Sequence, residues 1–321
     1  MADMLVCHTN GMVRGDVTSE AIDHMLQEPD NIVWLDISDP NEHDIGILRD
    51  EFHFHPLSIE DAMRGHQRPK IESYSKYYFL VFYAVRYCDD NTIETQQLNL
   101  FLGKNYIVSV HNGEFQQVKE TISRWRAPES PLGNTVGALL YALLDSIVDD
   151  YFPVMDQVAE HIDELEDAIF EEFDQNAIQS IFSLKRDLLQ VRRIIAPERD
   201  VINTLLRREV PVFQPEDIVY LQDLYDHVVH VADSLDVYRD LLSSALDSFL
   251  SVQSNNLNQI VKILTIASIV LMSNGLIAGI YGMNFAFVPE LQWRFGYFYA
   301  LGLMLTVSFG LVLFFRYKKW I

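Results

Sequence analysis

Two long uncharged runs near the carboxyl end dominate the pattern of hydrophobic and polar positions. No charged residue lies between Lys262 and Glu290, and residues 263–281 within this interval are largely apolar. A second uncharged run covers residues 295–315. Each run is long enough to cross a hydrocarbon core of about 30 Å as a helix. The pattern therefore predicts two transmembrane helices joined by a short loop.

A long helical pattern precedes the first run. Residues 217–274 contain neither glycine nor proline. Apolar residues recur there at alternating steps of three and four, as in a helix, at Ile218, Leu221, Tyr225, Val228, Ala232, Leu235, Tyr238, Leu242, Ala245, Phe249 and Val252. We expect a stalk helix that enters the membrane. The pattern fits both a stalk that transmits a cytoplasmic event and a coiled coil that only holds copies together.

The amino-terminal region has a different pattern, with short stretches rich in β-branched and aromatic residues. Strands are predicted at residues 31–37, 77–87, 93–102 and 105–111, and helices at 18–27 and 41–52. Asn41 is a suitable cap for the second helix, and Gly103 lies in a predicted hairpin turn between the last two strands. These strands and helices together predict an α/β domain at the amino-terminal end. Its sequence contains no phosphate-binding glycine loop and no GxSxG motif.

Two histidines in this region, His53 and His55, are candidate metal ligands on one face of a strand. Pro56 and two phenylalanines are their neighbours. We therefore interpret both histidines as partly buried structural residues rather than ligands.

The amino-acid composition argues against some classes of function. Of 321 residues 49% are hydrophobic, and the formal net charge is -22. Such a chain repels nucleic acid and attracts cations, so we expect no nucleic-acid partner. Cys7 and Cys88 are far apart and form no CxxC pair, which argues against a disulfide framework and a thiolate zinc site. The first thirty residues contain no long apolar run and do not form a secretory signal.

The distribution of positive charge predicts the orientation in the membrane. Arg316, Lys318 and Lys319 follow the second run beside Trp320, and basic residues accumulate on the cytoplasmic side. We expect a multi-pass protein of the cell membrane, plasma or inner, with lipid around two spans and both termini in the cytoplasm.

A strongly acidic stretch lies between the α/β region and the stalk. Residues 127–184 contain no lysine or arginine and many carboxylates. Such a run is either a solvated helix face or a field that concentrates divalent cations near the cytoplasmic side. The sequence leaves both readings open.

The first span carries a stripe of small and polar residues that lipid contact does not require. Its members recur at steps of three, four or seven: Asn258, Thr265, Ser268, Met272, Gly275 and Gly279. The stripe suits close helix packing and a pore equally well. Two spans cannot enclose a water-filled path, so a pore requires several copies around an axis.

A set of motifs at the end of the first span identifies a family. The sequence YGMNF at residues 281–285 is followed by VPEL at 288–291 and by the basic tail. With these motifs the chain resembles the CorA family of magnesium transporters. Further matching motifs extend the likeness over nearly the whole chain: residues 55–57, 60–61, 67–70, 149–152, 223–227 and 254–255.

The resemblance implies a funnel-shaped homopentamer with an α/β cytoplasmic domain, a pair of acidic helices on a long stalk helix, and a pore lined by the first spans. It implies a selectivity filter at Tyr281, Gly282, Met283 and Asn284. Mg2+ loses its water reluctantly, so a ring of Asn284 oxygens can bind the hydrated ion. The implied pore-lining residues are Asn258, Val261, Leu264, Met272 and Gly275.

The resemblance also implies regulation. In the family a cytoplasmic Mg2+ bridges carboxylates of neighbouring subunits and holds the pore closed, and the matching positions are Asp61 and Asp223. For Asp61 alone, a helix cap or a pair with Arg64 is the structural alternative. The loop after the filter carries Glu290. Mg2+ is then both transported and regulatory, with Co2+ and Ni2+ as further transported ions.

Two positions depart from the family pattern, since Gly275 stands where many relatives have threonine or serine and Ser273 where proline is common.

The alternatives in function are a zinc transporter of the same superfamily and a non-conducting, membrane-anchored metal sensor. An enzyme is not expected. The expected segments are an α/β domain (1–136), an acidic helical pair (137–210), a stalk (211–262), the pore helix (263–284), an extracytoplasmic loop (285–294), a second transmembrane helix (295–315) and a basic tail (316–321).

Overall fold

The chain divides into two compact units, Met1–Ala245 and Leu246–Ile321. The computed structural model describes residues 2–9, 12–15, 22–28, 30–88, 90–127, 132–171, 175–207, 213, 217–284 and 293–320. The finer division into seven segments stays a prediction.

A mixed sheet forms the centre of the first unit. Its strands are β1 (Ala2–Thr9), β2 (Met12–Gly15), β3 (Ile32–Ser38), β4 (Lys70–Ser73), β5 (Tyr78–Tyr87), β6 (Ile93–Leu102) and β7 (Tyr106–His111). They lie in the order β2-β1-β3-β7-β6-β5-β4. β3 and β7 are parallel, and the other neighbouring pairs are antiparallel. The four predicted strands are confirmed, while β1, β2 and β4 were not predicted.

The predicted hairpin between β6 and β7 is confirmed, and it explains the glycine in its turn. Gly103 N donates to Tyr106 O at 3.0 Å. A Cβ atom at Gly103 would lie 2.1 Å from Cε1 of the Tyr106 ring. Only glycine lets the tyrosine ring lie flat across this turn without displacement.

Seven helices are described in the first unit before the stalk: α1 (Ile22–Gln27), α2 (Glu42–Asp50), α3 (Pro56–Arg64), α4 (Gln116–Arg126), α5 (Val136–Asp149), α6 (Tyr151–Glu171) and α7 (Gln175–Leu206). The prediction of a helix capped by Asn41 is confirmed. Asn41 Oδ1 accepts from the backbone of His43 at 2.8 Å, and Asp44 Oδ2 accepts from Asn41 N at 3.0 Å. This reciprocal capping fixes the start of α2. Residues 18–21 of the helix predicted at 18–27 lie outside the described residues.

The interpretation of His53 and His55 as partly buried residues on a strand is wrong. Both side chains are exposed and lie between α2 and α3. His55 is the N-cap of α3, where Nδ1 accepts the Leu57 N–H at 3.2 Å, and Pro56 takes the first helical position. Proline at that position begins a helix, because its missing N–H would have no partner there.

A buried polar network joins the sheet to α6 and α7. Glu198 on α7 is fully buried, and its Oε1 accepts the backbone N–H of Tyr83 at 2.8 Å. The Tyr151 hydroxyl lies within hydrogen-bond distance of both the Tyr83 carbonyl oxygen and Glu198 Oε2, the latter at 3.0 Å. One hydroxyl hydrogen cannot serve two acceptors, so a protonated Glu198 that donates to Tyr151 completes the network. Burial raises the pKa of Glu198 well above its usual range.

Two long helices follow, α8 (Asp217–Tyr281) and α9 (Gly296–Tyr317), and each contains a strongly apolar window. α8 is one continuous helix, as the absence of glycine and proline over residues 217–274 predicts, and it continues through Gly275 and Gly279. By length and composition α8 and α9 are the two described helices that can cross a membrane. Only 6% of the most apolar window of each is buried within this chain, so these surfaces suit lipid or further copies.

Candidate metal centre and pore helix

A cluster of carboxylates and imidazole lies where α5 meets α8. Asp145 and Asp149 are one helical turn apart on α5, and His227 lies on α8. Their ligand atoms all lie within 4.8 Å of one another. The spacing of four residues places both carboxylates on the same helix face.

The concentrated negative charge around Asp145 is reflected in raised pKa values. Burial, followed by the charge of Asp149, raises the pKa of Asp145. Burial, followed by the charge of Asp145, raises the pKa of Tyr141 next to it. Neighbouring carboxylates that disfavour one another's charge are relieved when a cation binds between them.

His227 is oriented toward carboxylates on both sides. Its Nδ1 lies 4.0 Å from Asp149 Oδ1, and its Nε2 lies 3.9 Å from Asp223 Oδ2. Phe152 packs edge-on against the imidazole with the ring centroids 5.4 Å apart. Nδ1 is buried and has no hydrogen-bond partner in the described part of the chain, so its capacity to bind a ligand is not used within the subunit.

The donor chemistry of the cluster fits a divalent cation. Carboxylate oxygens suit Mg2+, which usually retains several waters, whereas imidazole suits Co2+, Ni2+ or Zn2+. Asp145 and Asp149 would bind a hydrated Mg2+ through oxygen, and His227 would contact its water shell. These three residues were not predicted as ligands from the sequence, although the i, i+4 pairs Asp145/Asp149 and Asp223/His227 were visible signals.

The two predicted regulatory carboxylates have different partners. Asp61 on α3 accepts from Lys70 Nζ at 2.7 Å, and Lys70 also donates to Glu72 Oε1 at 2.6 Å. Burial lowers the pKa of Lys70, but the hydrogen bonds that Lys70 donates to Asp61 and Glu72 outweigh burial and raise the pKa on balance. The alternative partner for Asp61, Arg64, pairs instead with Glu60 at 2.7 Å.

Asp223, by contrast, is open to solvent. Its side chain is 63% exposed, and it faces His227 one turn along α8. It therefore borders the cluster of Asp145, Asp149 and His227 and is available to a second copy of the chain. The assignment of Asp61 and Asp223 to one ion between subunits stays a prediction.

The predicted pore-lining residues share one side of α8. At 3.6 residues per turn they fall within about a third of the helix circumference, and each is exposed in the single chain: Asn258, Val261, Leu264, Met272 and Gly275. A different stripe of α8 is half-buried or buried, including Ile266, Ser273, Asn274 and Ile277. The pore-lining set is thus free to contact water or other copies.

The predicted filter begins at the last helical residue of α8 and continues directly after it. Gly282 N donates to Ala278 O at 2.9 Å, and Met283 N donates to Ile280 O at 3.3 Å. A Cβ atom at Gly282 would approach Ala278 O to 3.1 Å, a close contact that glycine avoids. Asn284 is exposed. Tyr281 is the last residue of the helix, and Glu290 lies outside the described residues.

The helix end itself favours a cation. The helix dipole places partial negative charge at the carboxyl end of a helix, even where carbonyls such as Ala278 O and Ile280 O accept from the residues that follow. The residues predicted to form the filter are thus located where backbone electrostatics favours a cation.

Comparisons with known proteins agree with this architecture. A family model described as CorA-like Mg2+ transporter protein matches residues 29–319. The cobalt/magnesium transport protein CorA of Thermotoga maritima is 36% identical over 294 residues, covering 90% of this chain and 83% of that protein. The protein of the same description from Methanocaldococcus jannaschii is 25% identical over 309 residues, covering 96% and 97%.

Solved structures match in fold. The complete structure of the CorA magnesium transporter from Methanocaldococcus jannaschii has a TM-score of 0.86 at 22% identity and covers 100% of both chains. The cytoplasmic domain of ZntB from Vibrio parahaemolyticus has a TM-score of 0.64 at 11% identity and covers 78% of this chain and 98% of that chain. At these identities the likeness shows the fold alone.

Proposed function

The chain belongs to the CorA-like Mg2+ transporter family, and from that premise we propose that five copies form a channel for hydrated Mg2+, with Co2+ and Ni2+ as further ions. The observation that carries the proposal is that all five implied pore-lining residues lie on one exposed side of α8, the helix that leads to Asn284. A single chain leaves this side uncovered, and copies around an axis would close it into a path. The proposed direction of ion flow is inward, into the cytoplasm.

Selection is proposed to act on the ion with its water shell. Mg2+ holds its waters strongly, so a filter that stripped them would bind too slowly for conduction. Asn284 amide oxygens from several copies accept hydrogen bonds from those waters, and the end of α8 adds partial negative charge. The neutral amide keeps capture weak enough for release.

Closure is proposed to depend on apolar rings deeper in the path. Val261, Leu264 and Met272 are 52%, 66% and 74% exposed in the single chain. Brought together around an axis, such side chains exclude water from a narrow passage and so block a hydrated ion. Asn258 would form a second polar ring.

Regulation is proposed to use cytoplasmic Mg2+ at Asp61 and Asp223 between neighbouring copies, with the cluster of Asp145, Asp149 and His227 beside Asp223. Carboxylates from two chains repel when no cation lies between them and are drawn together by a divalent ion. High internal Mg2+ would thus stabilise the closed assembly. His227 makes the cluster responsive to Co2+ and Ni2+ as well.

The proposal is tested by ion entry into proteoliposomes that contain the purified full chain and a fluorescent Mg2+ indicator, with Co2+, Ni2+ and Zn2+ as competitors. Saturable Mg2+ entry that Co2+ reduces supports the channel. Zn2+ entry without Mg2+ entry would assign the chain to zinc transport. Entry of neither ion would support a non-conducting metal sensor.

A further inference from the structure

A side-chain hydrogen bond joins the two apolar helices of the second unit. Asn274 Nδ2 on α8 donates to Ser308 Oγ on α9 at 2.9 Å, and Ser308 Oγ lies 3.3 Å from Asn274 Oδ1, close enough to donate in return. Both residues are partly buried. In lipid an amide without a partner is costly, so this pair has little freedom to separate.

Other hydroxyls of these helices are bound differently. Thr265 Oγ1 donates to Val261 O and Thr306 Oγ1 donates to Gly302 O, each at 2.7 Å and each within its own helix. Such bonds satisfy the hydroxyl but do not connect two helices. The contact between Asn274 and Ser308 therefore has a different consequence, because it fixes one helix relative to the other.

The position of Asn274 on α8 determines what the pair fixes. At 3.6 residues per turn, Met272 lies about 160° around the helix from Asn274 and Gly275 lies about 100° away. When Asn274 faces α9, Met272 is thus directed away from α9. Asn274 also lies between Ser273 and Gly275, neither of which can lock the rotation of the helix by bulk.

We propose that the Asn274–Ser308 pair is a positioning element that sets the rotation of the pore helix about its own axis. It holds Asn274 against α9 so that Met272 and Gly275 face the neighbouring copies. The pair does not touch the ion and acts through the residues that it orients. This inference rests on the proposed channel, in which α8 lines the path.

Cysteine cross-linking in the full chain tests the orientation without any ion flux. In a Cys7→Ser, Cys88→Ser background, Met272→Cys is expected to form disulfides between copies on oxidation, and Ile277→Cys, from the half-buried stripe, is not. Adding Asn274→Leu is expected to slow cross-linking at position 272 by about threefold, the factor that a typical hydrogen bond between transmembrane helices supplies. Thr306→Val is the matched control and is expected to change nothing.

Exchange of the two residues provides a rescue. Asn274→Ser combined with Ser308→Asn retains one amide and one hydroxyl and is expected to restore cross-linking at position 272. Unchanged cross-linking in Asn274→Leu, or no rescue by the exchange, would overturn the inference.

A double-variant cycle separates this inference from the proposed function. If Met272→Cys never cross-links, the pore assignment fails, and the pair is then judged by thermal unfolding of Asn274→Leu, Ser308→Ala and the double variant. A loss of Tm in the double variant that is smaller than the sum of the single losses supports the pair. Additive losses would contradict it.

Discussion

Lys70 Nζ lies 2.7 Å from Asp61 Oδ2, so the carboxylate proposed to hold a regulatory ion already has a cationic partner in its own chain. Lysine and metal then compete for one oxygen. Lys70→Gln is expected to lower the Mg2+ concentration that halves the flux by about fivefold, as a partly buried ion pair worth about 1 kcal/mol predicts. The measurement is the Mg2+ flux as a function of the internal Mg2+ concentration. The exposed Lys76→Gln is the control, and equal shifts in both variants would rule out competition.

Asp223 is expected to act on closure and not on permeation. Asp223→Asn removes one charge from the proposed ion site, so the internal Mg2+ needed to halve the flux rises by about tenfold while maximal flux is retained. Asp226→Asn, three residues further along α8, serves as the control, since the exposed Asp226 accepts a hydrogen bond from Gln222 Nε2 on its own helix. A loss of maximal flux in Asp223→Asn alone would instead place this residue in the conduction path.

Glu198 is expected to make stability depend on pH. Its raised pKa means that the folded state keeps a proton which the unfolded chain releases above the ordinary glutamate pKa of 4.5. Its contribution is thus complete below that value and is lost as pH rises toward the folded pKa. Glu198→Gln retains an acceptor for the Tyr83 N–H and a donor for the Tyr151 hydroxyl. The Tm of this variant minus that of wild type is therefore expected to increase as pH rises.

The exposed Asp167→Asn is the control for that series and should track wild type. Glu198→Leu removes the acceptor of the Tyr83 N–H and is expected to cost about 1 to 3 kcal/mol at every pH. A Glu198→Gln protein with the same dependence of Tm on pH as wild type would show that Glu198 is not the titrating group.

The turn between β6 and β7 tests how much stability depends on the close packing of the Tyr106 ring against Gly103. Gly103→Ala places a Cβ atom against the Tyr106 ring and is expected to destabilise the fold by about 1 to 3 kcal/mol. Gly46→Ala, inside α2 with nothing within 4 Å of its Cβ, is the matched control and should be neutral or stabilising by up to about 1 kcal/mol. Thermal unfolding compares the two. Equal Tm values would show that the ring moves aside freely.

Much of the fold was readable from local patterns. The cap at Asn41, the β6–β7 hairpin and the long α8 follow from short-range signals that the packing reinforces. α4 was missed although Val118, Thr121, Ile122 and Trp125, its buried residues, have helical spacing. β4 has only four residues at the sheet edge, too few for a recognisable alternation.

The candidate metal centre was less accessible to sequence reasoning, for physical reasons. Asp145, Asp149 and His227 come together only because α5 packs beside α8, which no local pattern encodes. The bond from Lys70 to Asp61 likewise joins an edge strand to a helix. Glu198 reads as a surface residue in sequence, since its burial depends on how α7 packs against β5. The filter was predicted from the family resemblance of its motif and not from periodicity.

Asn284 is proposed to select hydrated Mg2+ at the end of the pore helix. The most direct measurement is Mg2+ entry into indicator-loaded proteoliposomes for wild type, Asn284→Ala and the control Thr306→Val at equal amounts of folded oligomer. We expect saturable entry in wild type and control, and none above empty vesicles in Asn284→Ala. Entry through Asn284→Ala at the wild-type rate would contradict it.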